Sequence, residues 1–230
     1  MSTLDHENIY TYNQLQKFEA ILNKHGMSLR QFQTIMDFGC GYGRMLRLIQ
    51  KICPSAKLYG CEVDSSLLPL ARSSCPNATI FENETAPPLP LNETVRFNLI
   101  YSYSVFTHLT EENHIAWLQE LSSRLKPGGV MIHTVHTVEC LKRMKMFSPE
   151  RIKKYKINDL DDFIASPPAY HYVVDDAEKP DYGLTLMSKE YIRDTWPQYT
   201  GLKLIDFQEG CIEAYAEGCQ DVVVLSNILC

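Results

Sequence analysis

A glycine-rich segment and an acidic residue further along the chain have the types and spacing of a ligand site. The segment runs Gly39-Cys-Gly-Tyr-Gly43, and Asp37 lies just before it at the end of a short apolar run. Glycine lets the backbone adopt positive φ and lets a ligand approach closely, because no Cβ intrudes. Glu62 follows 21 residues after Gly41. Its carboxylate can accept two hydrogen bonds from a ribose diol, and it is a poor neighbour for phosphates.

The spacing of the glycines argues against the common phosphate-binding loops. A dinucleotide fingerprint reads GxGxxG, and counted from Gly39 its third glycine is replaced by Arg44. The GxxxxGK[ST] loop that cradles triphosphates is absent from the sequence. A nucleoside without phosphates suits these residues best, and one that carries a positive charge suits them better still. These properties describe S-adenosylmethionine, whose sulfonium is cationic.

Alternating strand and helix patterns surround the loop from about 34 to 136, which is typical of βαβ units. They predict a parallel sheet with helices on both faces and right-handed crossovers. Ligands bind beyond the carboxyl ends of the strands in such a sheet, so the loop should border a site. The predicted helices are 13–25, which Gly26 ends, 45–52, a helix after the N-cap candidates 64–66 up to about 74, 110–125, and 188–196, which Pro197 ends. The predicted strands are 34–38, 57–62, 78–81, 96–101, 130–135, 202–207 and 221–225, with a turn at 126–129.

Four segments, in order, resemble the motifs of class I S-adenosylmethionine-dependent methyltransferases. They are 35–44 for the first motif, 60–71 for the second, 97–109 for the fourth strand and 125–129 for the turn before the fifth strand. The resemblance implies an α/β, Rossmann-like, doubly wound sheet of seven strands, mostly parallel with an antiparallel last strand. It implies a single domain over 1–230, to which the helical periodicity adds an N-terminal helical segment at 1–30. The mixed charges and prolines of 139–185 indicate an insert on the rim of the sheet, which we expect to cap the substrate.

The resemblance also implies which residues hold the cofactor, S-adenosylmethionine, and its product, S-adenosylhomocysteine. Asp37 and the glycine-loop backbone would hold the methionine part, and Glu62 would hold the ribose. The residues after the third strand would lie near adenine, where this sequence lacks the family's usual Gly-Asp pair. The residues after the fourth strand would lie close to the methyl donor. The complete set is Asp37, Gly39, Cys40, Gly41, Gly43, Glu62, Val63, Asn83, Glu84, Tyr103 and Ser104.

Two histidines are candidates for a catalytic base. His136 ends the predicted strand 130–135, and His108 follows the predicted strand 96–101, so both fall at the carboxyl edge of the sheet. A base at this edge could take the proton of a hydroxyl acceptor. His133 lies three residues before His136 and points to the opposite face, because side chains alternate along a strand. We interpret His133 as structural.

The composition limits the kinds of partner. The chain has 230 residues and a formal charge of 22 − 28 = −6, which argues against broad electrostatic capture of nucleic acid or anionic membrane. The sequence has neither a signal-peptide pattern nor an apolar run long enough to span a membrane. The eight cysteines form no CxxC pair and no zinc-finger pattern. We therefore expect a cytoplasmic protein with reduced thiols and no metal site, and the oligomeric state is left open.

The residues after the fourth strand bear on the acceptor. Within the resembled family, enzymes that methylate base amines or glutamine amides carry an Asn/Asp-Pro-Pro-Tyr/Phe tetrapeptide there, and this chain has Tyr101-Ser-Tyr-Ser104. We therefore expect O-methylation of a small molecule, such as a hydroxyl of a sugar or metabolite. Two alternatives stay open: a catalytically silent protein that binds S-adenosylmethionine in a regulatory or interaction role, and N-methylation of a small amine. Arg44 disfavours an NAD-linked oxidoreductase.

Overall fold

The computed structural model describes residues 3–147, 149–214 and 218–227. Within these ranges, seven strands form one large sheet and two form a separate antiparallel pair. The strands of the large sheet are β1 (Thr34–Phe38), β2 (Lys57–Glu62), β3 (Ala78–Glu82), β4 (Phe97–Ser102), β5 (Leu125–Val135), β8 (Lys203–Ala214) and β9 (Gly218–Ser226). The smaller pair is β6 (Tyr170–Val174) and β7 (Gly183–Met187).

The α-helices lie between these strands and before the first of them. They are α1 (Thr3–Lys24), α2 (Arg44–Ile52), α3 (Leu68–Ser74), α4 (Glu111–Ser123), α5 (Val138–Phe147), α6 (Pro149–Ile152), α7 (Leu160–Ala165) and α8 (Lys189–Thr200). Short 3₁₀ turns cover Leu29–Gln31, Ser65–Leu67 and Lys153–Tyr155. Among the described residues, no helix has the length and apolarity needed to cross a membrane.

The strand order in the large sheet is β3-β2-β1-β4-β5-β9-β8. Strands β1 to β5 pair in parallel, and β9 runs antiparallel to both of its neighbours, β5 and β8. This confirms the predicted seven-stranded sheet and its antiparallel last strand. The strand order reverses between β1 and β4, and such a switch point is where open α/β sheets bind ligands. The glycine loop leaves β1 at this point.

Alternating side chains of the central strands feed two cores. Ile35, Leu99, Ile132 and Val224 pack in one cluster with Leu15 and Phe18 of α1 and with Met45 and Ile49 of α2. Met36, Ile100, Met131 and Val223 pack in the other cluster with Trp117 of α4 and Trp196 of α8. The sheet is therefore covered by helices on both faces, as the βαβ pattern predicts.

Several predicted boundaries differ from the structure, among them the start of the first helix, the turn before the fifth strand and the end of the last helix. The first helix begins at Thr3, ten residues before the predicted start at 13. The predicted turn at 126–129 lies inside β5 as an irregularity, because the pairing with β4 passes from Phe97↔Leu125 to Leu99↔Val130.

Pro197 does not end the last helix, which continues to Thr200. A proline near the end of a helix removes a single backbone donor. The fully buried Trp196 anchors this turn in the core, and the Thr200 hydroxyl donates to its carbonyl at 2.7 Å. The helix ends at Gly201, whose φ of 67° suits a left-handed C-cap.

The segment between β5 and α8 contains α5 to α7 and the β6–β7 hairpin. Strand β7 attaches this segment to the carboxyl edge of the large sheet. Gly183 N–H donates to the His108 carbonyl, Thr185 N–H to the Thr107 carbonyl and Met187 N–H to the His136 carbonyl, at 3.0, 2.8 and 3.0 Å. These bonds hold the turn at 178–182 beside the exits of the central strands.

Candidate functional site

The glycine loop makes a tight exit from β1. The amides of Gly39 and Cys40 both donate to the Cys61 carbonyl, at 3.0 and 2.8 Å. Gly39 has a φ of 77°, and a Cβ built on it would lie 2.3 Å from Cγ2 of Val105. The position therefore excludes any side chain on both conformational and steric grounds. Gly43, with a φ of 83°, is the N-cap residue of α2.

Glu62, at the end of β2, holds the loop beside the second strand. Its carboxylate accepts hydrogen bonds from the amides of Gly41, Val63 and Asp64, at 2.8, 2.9 and 3.0 Å. A carboxylate offers about four acceptor directions, so it retains capacity for a ligand hydroxyl. The sequence placed Glu62 and the glycine loop at one edge of the sheet, and this contact brings them together.

A cavity of about 760 Å³ opens at the same edge. Its volume lies within the usual range for small-molecule sites. Seven of the predicted cofactor residues line it: Gly39, Glu62, Val63, Asn83, Glu84, Tyr103 and Ser104. Val105 and Trp117, which the sequence analysis missed, also line it, and so does the turn at 178–182, which lies in the predicted insert at 139–185 without having been singled out there. Trp117 belongs to the apolar face of α4, and the turn reaches the cavity only because β7 attaches to the sheet.

Four predicted cofactor residues, Asp37, Cys40, Gly41 and Gly43, are not among the residues that line the cavity. Asp37 is buried, accepts a 2.8 Å hydrogen bond from the Tyr101 hydroxyl, and has a pKa raised to about 7. Burial is the main cause of that rise, and the Tyr101 hydrogen bond and the charge of Arg44 oppose it. Burial also raises the pKa of the Cys40 thiol, which therefore stays protonated and is a poor nucleophile.

Tyr103 and Ser104 connect the cavity to the interior of the protein. The Tyr103 hydroxyl accepts a bond from Gln14 Nε2 at 2.8 Å, and the Arg44 guanidinium lies 4.8 Å from the centre of the Tyr103 ring. Ser104 has a φ of 62°, unusual for a residue other than glycine. Its amide donates to the Thr134 hydroxyl at 2.7 Å.

Neither predicted catalytic histidine lines the cavity. His136 is buried, its Nδ1 lies 3.0 Å from the Tyr155 hydroxyl, and burial lowers its pKa to about 3. His108 places Nδ1 2.7 Å from the Gly183 carbonyl, and burial lowers its pKa as well. Its ring stacks on that of Tyr182, a cavity residue, with centroids 4.6 Å apart. Both imidazoles are therefore neutral at neutral pH.

His133 behaves as the structural residue that the sequence predicts. It is buried, and its Nδ1 lies 2.8 Å from the Ser102 hydroxyl. Within the described part of the chain, no three His, Cys, Asp or Glu side chains are grouped so that they could hold a metal ion.

The comparisons with known proteins agree with the fold. The methyltransferase domain family matches residues 35–129. A trans-aconitate 2-methyltransferase of Afipia carboxidovorans is 29% identical over 99 residues, which are 43% of this chain and 37% of the relative. The chain thus matches little more than a third of the length of this curated relative.

Two solved structures share the whole architecture. An S-adenosylmethionine-dependent methyltransferase from Clostridium acetobutylicum aligns with a TM-score of 0.62 at 13% identity, over 94% of this chain and 92% of the other. Magnesium protoporphyrin IX methyltransferase from Synechocystis, with bound S-adenosylhomocysteine, aligns with a TM-score of 0.62 at 13% identity, over 98% of this chain and 88% of the other.

The sheet order and the glycine-lined exit of β1 define a class I methyltransferase fold. Residues 35–129 of this chain match the methyltransferase domain family, and the predicted resemblance to S-adenosylmethionine-dependent methyltransferases is confirmed.

Proposed function

We propose that this chain binds S-adenosylmethionine in the cavity at the carboxyl edge of the sheet and transfers its methyl group to a small-molecule acceptor. The observation that carries the proposal is that Gly39 and Glu62 border one nucleoside-sized cavity. A Cβ built on Gly41 would meet nothing within 4 Å, so the loop backbone is open at that residue, and Glu62 retains acceptor capacity for a ribose hydroxyl. These features fit the cofactor.

Most of the predicted cofactor residues have a proposed part in binding. Glu62 binds the ribose, and Asn83 and Glu84 contact the adenine. The loop from Gly39 to Gly43, with Asp37 behind it, supports the methionine part. The carboxylate of Glu62, together with that of Asp37 at a pH above its pKa of about 7, favours a cationic ligand over a neutral one.

The protein's contribution to the reaction is alignment and electrostatics. When bound, S-adenosylmethionine supplies an electrophilic methyl group on a sulfonium. Tyr103 and Ser104 line the cavity at the end of β4, where they would hold the acceptor in line with the methyl group. With the cofactor bound, an acceptor oxygen would form the new bond to the methyl carbon as the carbon–sulfur bond breaks, and the electron pair of the broken bond would remain on sulfur, which becomes a neutral thioether.

We propose an oxygen acceptor, in particular a hydroxyl of a sugar or metabolite. The trans-aconitate methyltransferases among the relatives take a small organic molecule by their name. The hydroxyl must lose its proton, and His136 and His108 are the proposed recipients. Each is neutral and so has a free electron pair, although burial makes both weak bases. We also propose that 139–185 serves as the substrate cap, because the turn at 178–182 lines the cavity.

Calorimetry with S-adenosylmethionine, S-adenosylhomocysteine and NAD tests the cofactor. We expect heat with the first two and none with NAD. Incubation with S-adenosylmethionine labelled in its methyl group, over a panel of small acceptors, tests the transfer. Binding without any labelled product would favour the catalytically silent alternative, and a labelled amine would favour N-methylation.

A further inference from the structure

Tyr182 brings an aromatic ring from the segment between β5 and α8 to the wall of the cavity. The residue immediately precedes β7, lines the cavity, and is 46% exposed. Its hydroxyl makes no hydrogen bond to another residue in the described part of the chain. Ligand pockets are lined mainly by apolar and aromatic side chains that remain open to the ligand. The Tyr182 ring is therefore available to a molecule bound in the cavity.

The main chain around Tyr182 is fixed against the segment that follows β4. Tyr182 pairs with Leu109 as an isolated antiparallel bridge. Gly183 N–H donates to the His108 carbonyl at 3.0 Å, and His108 Nδ1 lies 2.7 Å from the Gly183 carbonyl. A Cβ built on Gly183 would lie 2.2 Å from the Val173 carbonyl oxygen, so no side chain fits beside Tyr182 at this point. These contacts preorganise the ring, which lowers the cost of binding a ligand against it.

The ring of Tyr182 has one face covered by protein. The His108 imidazole stacks on that face, with centroids 4.6 Å apart and planes 10° from parallel. His108 does not line the cavity, whereas Tyr182 does. The Tyr182 ring therefore lies between the imidazole and the cavity, and its second face is turned toward the cavity. Aromatic rings stack on planar groups in this way, so the second face is a platform for a planar part of a ligand.

Glu62 lines the same cavity, and its charge acts on Tyr182. Partial burial raises the pKa of the Tyr182 hydroxyl, and the negative charges of Glu62 and Asp175 raise it further. Glu62 is the residue proposed to bind the ribose of the cofactor. The group that stacks on Tyr182 is therefore close to that ribose.

Only one part of S-adenosylmethionine is planar and aromatic, and that part is the purine. The purine is bonded directly to the ribose, so a ribose at Glu62 leaves it within reach of Tyr182. Proteins pair polar groups with the edge of a base and aromatic rings with its face. Asn83 and Glu84 line the same cavity and are proposed to contact adenine. They supply groups for the edge, and Tyr182 supplies the ring for the face.

We propose that Tyr182 is a cofactor-binding residue, whose open face stacks on the adenine of S-adenosylmethionine while the His108 imidazole supports the opposite face. This inference rests on the proposed function and deepens it, because it assigns a cofactor contact to the segment that is proposed to cap the acceptor. The turn at 178–182 then binds the donor, and the cap is in place only when the donor is bound.

Two substitutions separate the ring from the hydroxyl. Tyr182→Leu removes the aromatic ring and keeps an apolar side chain, whereas Tyr182→Phe keeps the ring and removes only the hydroxyl. Tyr199→Leu is the matched control, because Tyr199 is a similarly exposed tyrosine on α8 that does not line the cavity. Calorimetry on the full chain measures the affinity of each protein for S-adenosylhomocysteine and for S-adenosylmethionine.

We expect Tyr182→Leu to bind both ligands about tenfold more weakly than the wild type, as is typical for the loss of one base–aromatic stack. The loss should be equal for the two ligands, because they share the purine and differ only at sulfur. Tyr182→Phe should bind both within about twofold of the wild type, and Tyr199→Leu should match the wild type.

Hydrogen exchange of the wild-type protein supplies a measurement that needs no substitution. Amide exchange over 178–182 should slow when S-adenosylhomocysteine is added, because the stacked purine holds the turn against the cavity.

Four results would overturn this inference and leave the proposed function intact. They are unchanged affinity of Tyr182→Leu, unchanged exchange over 178–182, a loss confined to S-adenosylmethionine, which would place the ring against the sulfonium, and an equal loss in Tyr182→Phe, which would place the contact at the hydroxyl. If the wild-type protein gives no heat with S-adenosylhomocysteine, the proposed function itself fails, and the two failures are thus distinguishable.

Discussion

The charge of Asp37 should control both the stability of the protein and its affinity for a cationic cofactor. Burial raises the pKa of this carboxyl to about 7 from an ordinary value of 3.8, against the effects of the Tyr101 hydrogen bond and of Arg44. Asp37→Asn removes the ionisation and keeps an oxygen that can accept the Tyr101 bond. The variant therefore isolates the effect of the negative charge.

The size of the effect follows from the pKa difference, 7 − 3.8, or about 3 pKa units. Such a shift corresponds to roughly 4 kcal/mol between the folded and unfolded states. Since the folded pKa lies above the unfolded one, the folded protein keeps the proton over a range in which the unfolded chain releases it. Ionisation of Asp37 therefore lowers the free energy of unfolding as the pH rises from about 4 to about 7, with little further change above that range.

Asp37→Asn lacks this loss. Its stability relative to the wild type should rise between about pH 5 and pH 8 by roughly 3 kcal/mol, which is the part of the effect that falls between about pH 5 and pH 7. For a chain of this length, that is a change in the difference between thermal midpoints of roughly 6–12 °C. At the higher pH the same variant should bind S-adenosylmethionine more weakly than the wild type does. Its affinity for S-adenosylhomocysteine should change less, because the product lacks the sulfonium charge.

Thermal unfolding of both proteins at several pH values in this range measures the stability difference, and calorimetry measures the two affinities. A stability difference that stays constant from about pH 5 to pH 8 would refute the reasoning, because it would show that the folded pKa of Asp37 is close to its ordinary value.

Two further predictions concern the loop and the proposed base. Gly39→Ala should lower the free energy of unfolding by about 2–4 kcal/mol and abolish binding of S-adenosylhomocysteine, because the new Cβ meets Val105 and the φ is left-handed. Adding Val105→Ala to Gly39→Ala should recover only the part of the lost stability that comes from the steric clash. Normal binding by Gly39→Ala alone would contradict the account. His136→Ala should lower kcat at least tenfold without changing the affinity for S-adenosylhomocysteine, and unchanged kcat would remove His136 from the mechanism. Because the pKa of His136 is about 3, wild-type kcat should show no inflection near pH 6.5 from this residue.

The contact between the glycine loop and Glu62 could be predicted, because it depends on sequence patterns within short stretches of the chain. Short apolar runs followed by helical periodicity predict parallel strands, and the carboxyl ends of parallel strands meet at one edge. The Gly41 amide and the Glu62 carboxylate lie 2.8 Å apart at this edge. The same rules predicted that His136 would stand at the end of β5. They could not predict its burial or its contact with Tyr155, which comes from the segment after α5.

The rest of the cavity depends on contacts between distant parts of the chain. The turn at 178–182 carries no local signal, and it reaches the cavity because β7 bonds to the exits of β4 and β5. The hydrogen bond between Gln14 and Tyr103 joins residues that are 89 positions apart, and it forms only because α1 packs on the sheet. At Pro197 the local rule predicted the end of a helix, and the structure continues the helix to Thr200. The burial of the neighbouring Trp196 stabilises this last turn.

The most direct test of the account is a calorimetric titration of the wild-type protein, Glu62→Ala and Glu82→Ala with S-adenosylhomocysteine. Glu82 is the matched control, because it pairs with Glu62 at the end of the neighbouring strand and does not line the cavity. The account predicts saturable binding by the wild type and by Glu82→Ala, and affinity at least tenfold lower for Glu62→Ala. Absence of heat with the wild-type protein, or equal affinity of Glu62→Ala, would contradict the claim that the glycine loop and Glu62 bind an adenosyl ligand.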